Sequence, residues 1–355
     1  MIKVLIVDDS AVIRKVMTDE LSRYDDIEIV GTAVDPYVAR DKIVELQPDV
    51  ITLDLEMPRM DGLSFLAKLM KHYPMPVVVL SSLTPKNSEL ALKALDLGAL
   101  EVLCKPGAAY STKNISHHLV LAIRSAAVAK INHNSVAPRV AVEAVATKNL
   151  LVNTTHKVIA IGASTGGTKA IEAVLAEMPA TAPGTVIVQH MPEHFTKSFA
   201  KRLNDICPMQ VREAQNNDHV VPGVALIAPG NLHMVLTRNG GTYVVRVKNG
   251  PRVHYQRPSV DVLFQSVAKN AGRNAVGVML TGMGADGAKG MLAMKECGAH
   301  TLAQDEATCV VYGMPKEAVK LGAVDDIVAL PKIPGAIISV LERGNNARRS
   351  LKKGG

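Results

Sequence analysis

The sequence predicts two α/β domains in tandem, each built on a doubly wound, mostly parallel sheet. Three observations lead there. Over residues 1 to about 130, short β-branched apolar runs alternate with longer amphipathic segments. That alternation dissolves between Ile131 and His156 and resumes from Lys157. The chain, at 355 residues, exceeds one ordinary compact domain, and either half is long enough to bury a sizeable core. Strands alternating with helices give parallel sheets covered on both faces. The expected boundaries are 1–122 for the first domain, 123–156 for a linker, 157–345 for the second domain and 346–355 for a basic tail.

In the first half the strand candidates are Lys3–Val7, Ile27–Gly31, Val50–Leu53, Val77–Leu80 and Glu101–Leu103. Helical patterns lie between them at Ala11–Ser22, Pro36–Leu46, Gly62–His72 and Ser88–Leu97. Asn132, His133, Asn134, Ser135 and Pro138 then break the periodicity, as a linker does. From Lys157 the run Val158–Gly162 reads as a strand, Lys169–Met178 as a helix and Thr185–Gln189 as a strand. Asn239-Gly240-Gly241 before Tyr243–Val247 reads as the turn of an antiparallel hairpin. Ala275–Leu280 and Ala288–Glu296 restore the strand–helix alternation.

Composition narrows the function. A hydrophobic fraction of 48% with 21% charged residues belongs to a soluble globular chain. There is no Trp and aromatic residues make up only 3%, which disfavours stacking platforms for single-stranded nucleic acid. Part of the formal charge of +7 sits in Arg343, Arg348, Arg349, Lys352 and Lys353, a solvated basic tail, and no nucleic-acid reading element accompanies it. Cys104, Cys207, Cys297 and Cys309 lie far apart without C-x-x-C pairing, against a disulfide framework or zinc ribbon. The first residues form a strand running into acid rather than a signal peptide, and no apolar run reaches membrane-spanning length. A cytoplasmic monomer without membrane insertion is expected.

Ligands of open α/β sheets gather at the carboxyl ends of the strands. Asp8 and Asp9 fall just past the first strand, Asp54 past the third, Ser81 past the fourth and Lys105-Pro106 past the fifth. Singly, such an Asp is often a helix N-cap and the Lys a surface charge. Together at four strand ends, converging acids repel one another, and a hard divalent cation such as Mg²⁺ relieves that repulsion with oxygen ligands. This constellation resembles the receiver domain of two-component response regulators, a flavodoxin-like (βα)5 fold. The resemblance implies phosphorylation of Asp54, with Mg²⁺ held by Asp9, Asp54 and the Glu56 carbonyl. It further implies Ser81 and Lys105 on the phosphoryl group, with Asp8 completing the pocket. Val102 departs from the switch aromatic that many receivers carry there, which puts an aromatic-flip mechanism in doubt.

In the second half, Gly162-Ala163-Ser164-Thr165-Gly166-Gly167 sits between a buried strand and a helix and fits G-x-S-x-G, a sharp turn that presents a serine hydroxyl. A tight Gly-rich turn with a capping Ser is the plainer reading of that motif alone. A serine nucleophile needs a base and the base an orienting acid. His190 follows the next strand, and Asp286 follows Ala275–Leu280. The order Ser, His, Asp differs from the Ser, Asp, His order of α/β-hydrolases. Two competing motifs overlap these residues. Gly282–Gly287 matches G-x-G-x-x-G with Asp305 at ribose distance, but Asp286 puts negative charge where a pyrophosphate sits. His190–His194 matches the zinc pattern H-x-x-E-H, but Pro192 favours a helix beginning there, leaving His190 on the strand end.

Ile-Gly-Ala-Ser-Thr-Gly-Gly (161–167), Gln-His-Met-Pro (189–192) and Leu-Thr-Gly-Met-Gly-Ala-Asp-Gly (280–287) together resemble the chemotaxis protein-glutamate methylesterases, the CheB family. Ile-Ala-Pro-Gly (227–230), Arg-Pro-Ser-Val-Asp (257–261) and Tyr-Gly-Met-Pro (312–315) agree. The resemblance implies Ser164 as nucleophile, His190 as base and Asp286 as orienting acid, with backbone N–H groups of Met283 and Thr165 at the oxyanion. Ala285 stands where relatives often carry Asn, which leaves the triad intact. The implied activity is hydrolysis of glutamate methyl esters on chemotaxis receptors, with deamidation of receptor glutamines by the same chemistry. No cofactor is implied in the catalytic domain. A chemotaxis histidine kinase is the implied phosphodonor, with the unphosphorylated receiver hindering receptor access. The rival reading is a non-catalytic response regulator with a partner- or DNA-binding output domain, which has no reason to hold Ser, His and Asp at three strand ends.

Overall fold

The computed structural model describes residues 1–57, 59–82, 84–105, 112–130 and 156–352, and the side chains of residues 85, 86, 112–116 and 344–352 are outside that description. The chain divides into two compact units, each with its own sheet. Pro106 and residues 131–155 of the expected linker lie outside the described residues.

In the N-terminal unit, β1 (Ile2–Val7) leads to α1 (Ala11–Leu21), β2 (Ile27–Ala33), α2 (Pro36–Leu46), β3 (Val50–Asp54) and α3 (Gly62–His72). Then follow β4 (Val77–Ser81), α4 (Pro85–Asp96), β5 (Glu101–Cys104) and α5 (Thr112–Val128). The strands pair in parallel in the order β2-β1-β3-β4-β5, a flavodoxin-like arrangement whose order reverses between β1 and β3. β3 and β4 are buried at every position, as a strand covered on both faces must be. Side chains of Ser10, Asp35, Asp61 and Thr84 accept from the first-turn N–H groups of α1, α2, α3 and α4.

Two boundaries differ from the sequence reading. Helix α4 starts at Pro85 rather than Ser88, because Thr84 caps it and Pro fits the first turn, where no N–H is needed. Helix α5 runs to Val128, past the expected domain end at 122, because Leu119, Val120, Ile123 and Ala126 form a buried stripe on the N-terminal core.

The C-terminal unit begins with β6 (Val158–Ala163), α6 (Gly167–Ala176), β7 (Gly184–Gln189), α7 (Phe195–Ile206), β8 (Gln210–Glu213) and β9 (Val224–Ile227). A hairpin of β10 (His233–Asn239) and β11 (Thr242–Lys248) precedes α8 (Val260–Ala271), β12 (Ala275–Met279) and α9 (Ala288–Glu296). The unit closes with β13 (His300–Gln304), α10 (Met314–Lys320), β14 (Asp326–Val328) and α11 (Ile333–Lys352). Helix α11 continues through the expected boundary at 345, so the basic tail starts inside a helix.

Seven strands pair in the order β14-β13-β12-β6-β7-β9-β8, every pairing parallel. The predicted hairpin is there, turning through Gly240 at φ 57, and it forms a separate two-stranded sheet. Its Met234, Leu236, Tyr243 and Val245 share a core with Val260, Leu263, Phe264 and Val267 of α8. Full burial of each such aliphatic or Phe side chain contributes about 1.5–3 kcal/mol, so the hairpin fixes α8 firmly. Ser266 Oγ receives the Leu236 N–H at 2.8 Å, and Asn270 Nδ2 donates to the Leu236 carbonyl at 3.0 Å. The sheet order reverses at β6, with β7 on one side and β12 on the other, which places the crevice at their carboxyl ends. Among the described residues no helix is long and apolar enough to cross a membrane.

Candidate functional site

Strand β6 delivers Ser164 into the crevice. The Ser164 N–H donates to the Thr281 carbonyl at 3.0 Å, tying the turn to the loop after β12, and the Gly167 N–H donates back to the Ser164 carbonyl at 2.7 Å. Gly166 turns at φ 78, and a Cβ there would lie 2.6 Å from Val310 Cβ, so only glycine makes this turn. Strand β7 runs beside β6 with Ala163 opposite Gln189, and the His190 N–H donates to the Ala163 carbonyl at 3.1 Å. One step on, Ser164 and His190 leave neighbouring strands side by side, about one strand spacing apart.

Asp286 comes from the loop between β12 and α9. Its Oδ2 lies 2.7 Å from His190 Nε2 and accepts the Val260 N–H at 2.8 Å. Its Oδ1 accepts the Ser259 hydroxyl at 2.7 Å and the Asp261 N–H at 3.0 Å. The N-terminus of α8, with its cap residue, is thus wrapped around this carboxylate, where the helix dipole also favours negative charge. Burial pushes the Asp286 carboxyl up, but the His190 contact and the three further donors outweigh it and hold the group below its ordinary value. The ionised carboxylate can only accept, so His190 Nε2 carries the proton and Nδ1 keeps its lone pair. Nδ1 is buried and has no hydrogen-bond partner among the described residues.

The structure therefore brings Ser164, His190 and Asp286 to one sheet edge. Of the two residues read for the oxyanion, the Met283 N–H donates to no group among the described residues. Thr165 is buried, and its carbonyl accepts from Thr281 Oγ1 at 3.0 Å. The two competing motifs resolve. Helix α7 starts at Phe195, later than Pro192, so His190 and His194 both precede it and cannot share its face as a zinc pair. Asp305 accepts from Thr308 as a local turn, and Asp286 is consumed by His190 and α8.

Sequence reading missed Ser259 and the N–H groups of Val260 and Asp261. The signal was present: Pro258-Ser259 before an apolar-periodic run, with Asp261 in the first turn, is a helix start. His233 was also missed. It is buried, its Nε2 lies 2.8 Å from the Pro251 carbonyl, and its Nδ1 accepts the Ser259 N–H at 3.2 Å. Burial pulls its pKa below the ordinary histidine value, so it stays neutral and holds Ser259 from behind.

The N-terminal unit carries the second constellation. Asp8, Asp54 and Ser81 are fully buried, and Lys105 Nζ lies 3.0 Å from Asp8 Oδ2 and 2.5 Å from Asp54 Oδ2. Asp54 Oδ1 accepts the Glu56 N–H at 3.0 Å and Asp8 Oδ1 the Ser10 N–H at 2.9 Å. Among the described residues neither Oδ2 has a partner beyond Lys105, and Ser81 Oγ has no partner. Burial pushes the Asp54 carboxyl up to about 6, although Lys105 and the Glu56 N–H pull against it. A Cβ on Gly62 would stand 2.2 Å from the Asp54 carbonyl, so glycine lets α3 approach this residue closely. Carboxylate oxygens of Asp8, Asp9 and Asp54 come within 4.8 Å of one another. Orphaned buried oxygens beside an exposed Asp9 suit a hard, partly hydrated cation such as Mg²⁺.

Residues 159–337 match the family described as CheB methylesterase, and residues 4–114 match the response regulator receiver domain. A protein-glutamate methylesterase/protein-glutamine glutaminase 2 of Syntrophus aciditrophicus is 58% identical over 340 residues, covering 96% of this chain and 99% of its own. The protein-glutamate methylesterase/protein-glutamine glutaminase of Salmonella typhimurium is 51% identical over 349 residues, covering 98% and 99%. The crystal structure of the Thermotoga maritima CheB methylesterase catalytic domain aligns with a TM-score of 0.50 at 36% identity, covering 52% of this chain and 97% of that one. The chain belongs to the CheB methylesterase family, and its methylesterase domain follows a response regulator receiver domain.

Proposed function

We propose that this protein is a phosphorylation-activated serine hydrolase that demethylates glutamate 5-O-methyl esters on chemotaxis receptors, releasing methanol, and deamidates receptor glutamines to glutamate. The observation that carries the reading is the Asp286–His190 pair at 2.7 Å beside Ser164, with His190 Nδ1 unpartnered among the described residues. The relatives from Syntrophus aciditrophicus and Salmonella typhimurium carry both activities in their names.

In the proposed reaction Ser164 Oγ attacks the ester carbonyl while His190 Nδ1 takes its proton. The Met283 and Thr165 N–H groups receive the oxyanion, and Asp286 steadies the imidazolium. His190 then protonates the departing methoxide, and methanol leaves an acyl-enzyme on Ser164. Water, deprotonated by His190, releases the glutamate. A glutamine substrate follows the same path with ammonia as leaving group.

In the receiver, Asp54 is the phosphoacceptor, supplied by a chemotaxis histidine kinase in the cytoplasm. Asp9, Asp54 and the Glu56 carbonyl would hold Mg²⁺, with Asp8 beside them; the ion when bound neutralises charge on the incoming phosphoryl group. Ser81 Oγ donates to a phosphoryl oxygen, and Lys105 gives up its contact with Asp54 to pair with the new charge.

Methanol release from membranes bearing methylated receptors tests the reading. The parent chain turns over, and a small-molecule phosphodonor raises the rate. Ser164→Ala lowers it by about 10³-fold or more. Asp54→Asn retains the unstimulated rate and loses the response. A parent chain that releases no more methanol than Ser164→Ala would return the second domain to the class of interaction modules.

A further inference from the structure

We propose that Gln189 is a positioning residue for this hydrolysis, a side-chain amide that holds the nucleophile and base strand ends at a fixed separation. The proposal rests on the serine-hydrolase reading above. Gln189 is the last residue of β7, stands directly before His190 and is only 4% exposed. Its Nε2 donates to the Ser164 carbonyl at 2.9 Å and to the His190 carbonyl at 3.1 Å. Both hydrogens of one planar group thus land on the two residues that carry the proposed proton transfer. The His190 N–H to Ala163 carbonyl bond is a backbone rung just before those residues, and the amide extends the tie past it.

The orientation of the amide is settled by its partners. Reversed, Oε1 would face two carbonyl oxygens and donate nothing to either. As placed, Oε1 is buried and accepts no hydrogen bond among the described residues. A buried acceptor without a donor destabilises a fold, and an apolar side chain of the same length would not carry that cost. The neighbouring turn also makes way for the amide. A Cβ on Gly167 would lie 2.2 Å from Gln189 Oε1 and 2.7 Å from Ala163 Cβ, so the first residue of α6 must be glycine for the amide to sit there. A group that leaves one buried acceptor unpaired among the described residues, excludes side chains from its neighbour and bridges Ser164 to His190 acts on their geometry.

The test uses the full-length chain with a phosphodonor, methylated receptor membranes as substrate and a fluorophosphonate as a probe of the Ser164 hydroxyl. Gln189→Met keeps length and removes both donors. It lowers kcat by about 10- to 100-fold, the size of effect a misplacement of about 1 Å produces. KM stays within about twofold, labelling by the probe slows in parallel, and Tm stays within a few degrees of the parent, because relief of the unpaired Oε1 offsets the loss of the two donated bonds. A structural role alone would lower Tm and activity together, and that result overturns the proposal, as does an unchanged kcat.

Gln189→Glu supplies a readout within one folded protein. Its carboxylate cannot donate, whereas the protonated acid donates one hydrogen bond. Its rate relative to the parent at the same pH therefore rises as pH falls from about 8 to about 6, since burial raises a carboxyl's pKa. A flat ratio overturns the proposal even where the Met variant fails to fold. Parent and Ser164→Ala are run beside them. A parent that neither releases methanol nor labels overturns the hydrolase reading and this one with it, whereas an active parent with an equally active Gln189→Met overturns this one alone.

Discussion

Asp54 and Asp286 are the same residue type, at the carboxyl edge of a doubly wound parallel sheet in each case, and both are buried, at 0% and 2% exposure. Their carboxyl groups nevertheless shift in opposite directions. Asp54 is pushed up to about 6 and Asp286 is held below its ordinary value. Burial does not separate them, because it raises both. The count of donors does. Asp286 accepts from His190, Ser259, Val260 and Asp261, so each of its oxygens has two partners. Asp54 has the Glu56 N–H on one oxygen and the Lys105 ammonium on the other. In the proposed chemistry Asp286 only holds an imidazole, whereas Asp54 forms a bond to phosphorus. A saturated carboxylate is oriented and chemically quiet; one left short of donors keeps lone pairs for a cation and a phosphoryl group.

The comparison breaks most sharply at Asp286→Asn. The amide preserves shape but presents N–H groups where three α8 donors and His190 Nε2–H already point, and the imidazole proton moves to Nδ1, the atom that must accept. We expect kcat for methanol release to fall about 10⁴-fold, the size of effect such a substitution has in a Ser-His-Asp triad. Asp54→Asn, the matching change in the receiver, leaves the unstimulated rate alone. A loss under tenfold at Asp286→Asn would mean that the four-donor cradle is not what orients His190.

Much of this comparison was legible in the sequence, for local reasons. A β-branched run ending in Asp, Ser or Lys marks a strand and its carboxyl end together, which is how Asp8, Asp54, Ser81, Ser164 and His190 were located. Helices α2 and α3 fall on their expected residues, since an Asp cap and the periodicity agree there, and α9 does so directly after Gly287 at φ 91. Helix α8 has a local start signal at Pro258-Ser259, but its support of Asp286 does not, because that role depends on a partner 27 residues away that no local pattern reveals. The short strands β8, β9 and β14 have 3 or 4 residues each, too few to show a period. Gln189 was read only as part of a motif, since its two acceptors become neighbours only when β6 and β7 pair.

A smaller change sharpens the donor-count explanation. Ser259→Ala removes one of four donors from Asp286 and leaves the two backbone N–H groups in place. A hydrogen bond to a charged group contributes about 1.5–3 kcal/mol, and loss of part of it in the transition state lowers kcat about tenfold. The Ser259 hydroxyl oxygen also accepts the Val262 N–H at 3.4 Å as the cap of α8, so stability falls by about 1 kcal/mol as well. Ser259→Thr keeps both bonds and stays near the parent in both measurements, which separates loss of the hydroxyl from disturbance of the helix. An alanine variant with parental kcat would show that three donors suffice.

The smallest effect is the opposite pH response of the two carboxylates, measurable as Tm differences in chelator-treated protein. The folded-state value of Asp54 lies above its ordinary 3.8, at about 6, so the native state binds the extra proton across that window. Stability from this group is therefore greatest at low pH and is lost as pH rises through about 6. Asp286 runs the other way. Its contribution is complete above the ordinary carboxylate value and disappears only as pH falls through a lower folded-state value. Between pH 5 and pH 7, where Asp286 is silent, the Tm of the parent relative to Asp54→Asn should rise by a few degrees on acidification. Millimolar Mg²⁺ should flatten the trend, because a cation on Asp54 favours the charged form that burial disfavours. A difference that stays flat in chelator would mean Lys105 alone neutralises Asp54, and the contrast in donor count would no longer explain why one carboxylate reacts and the other only holds.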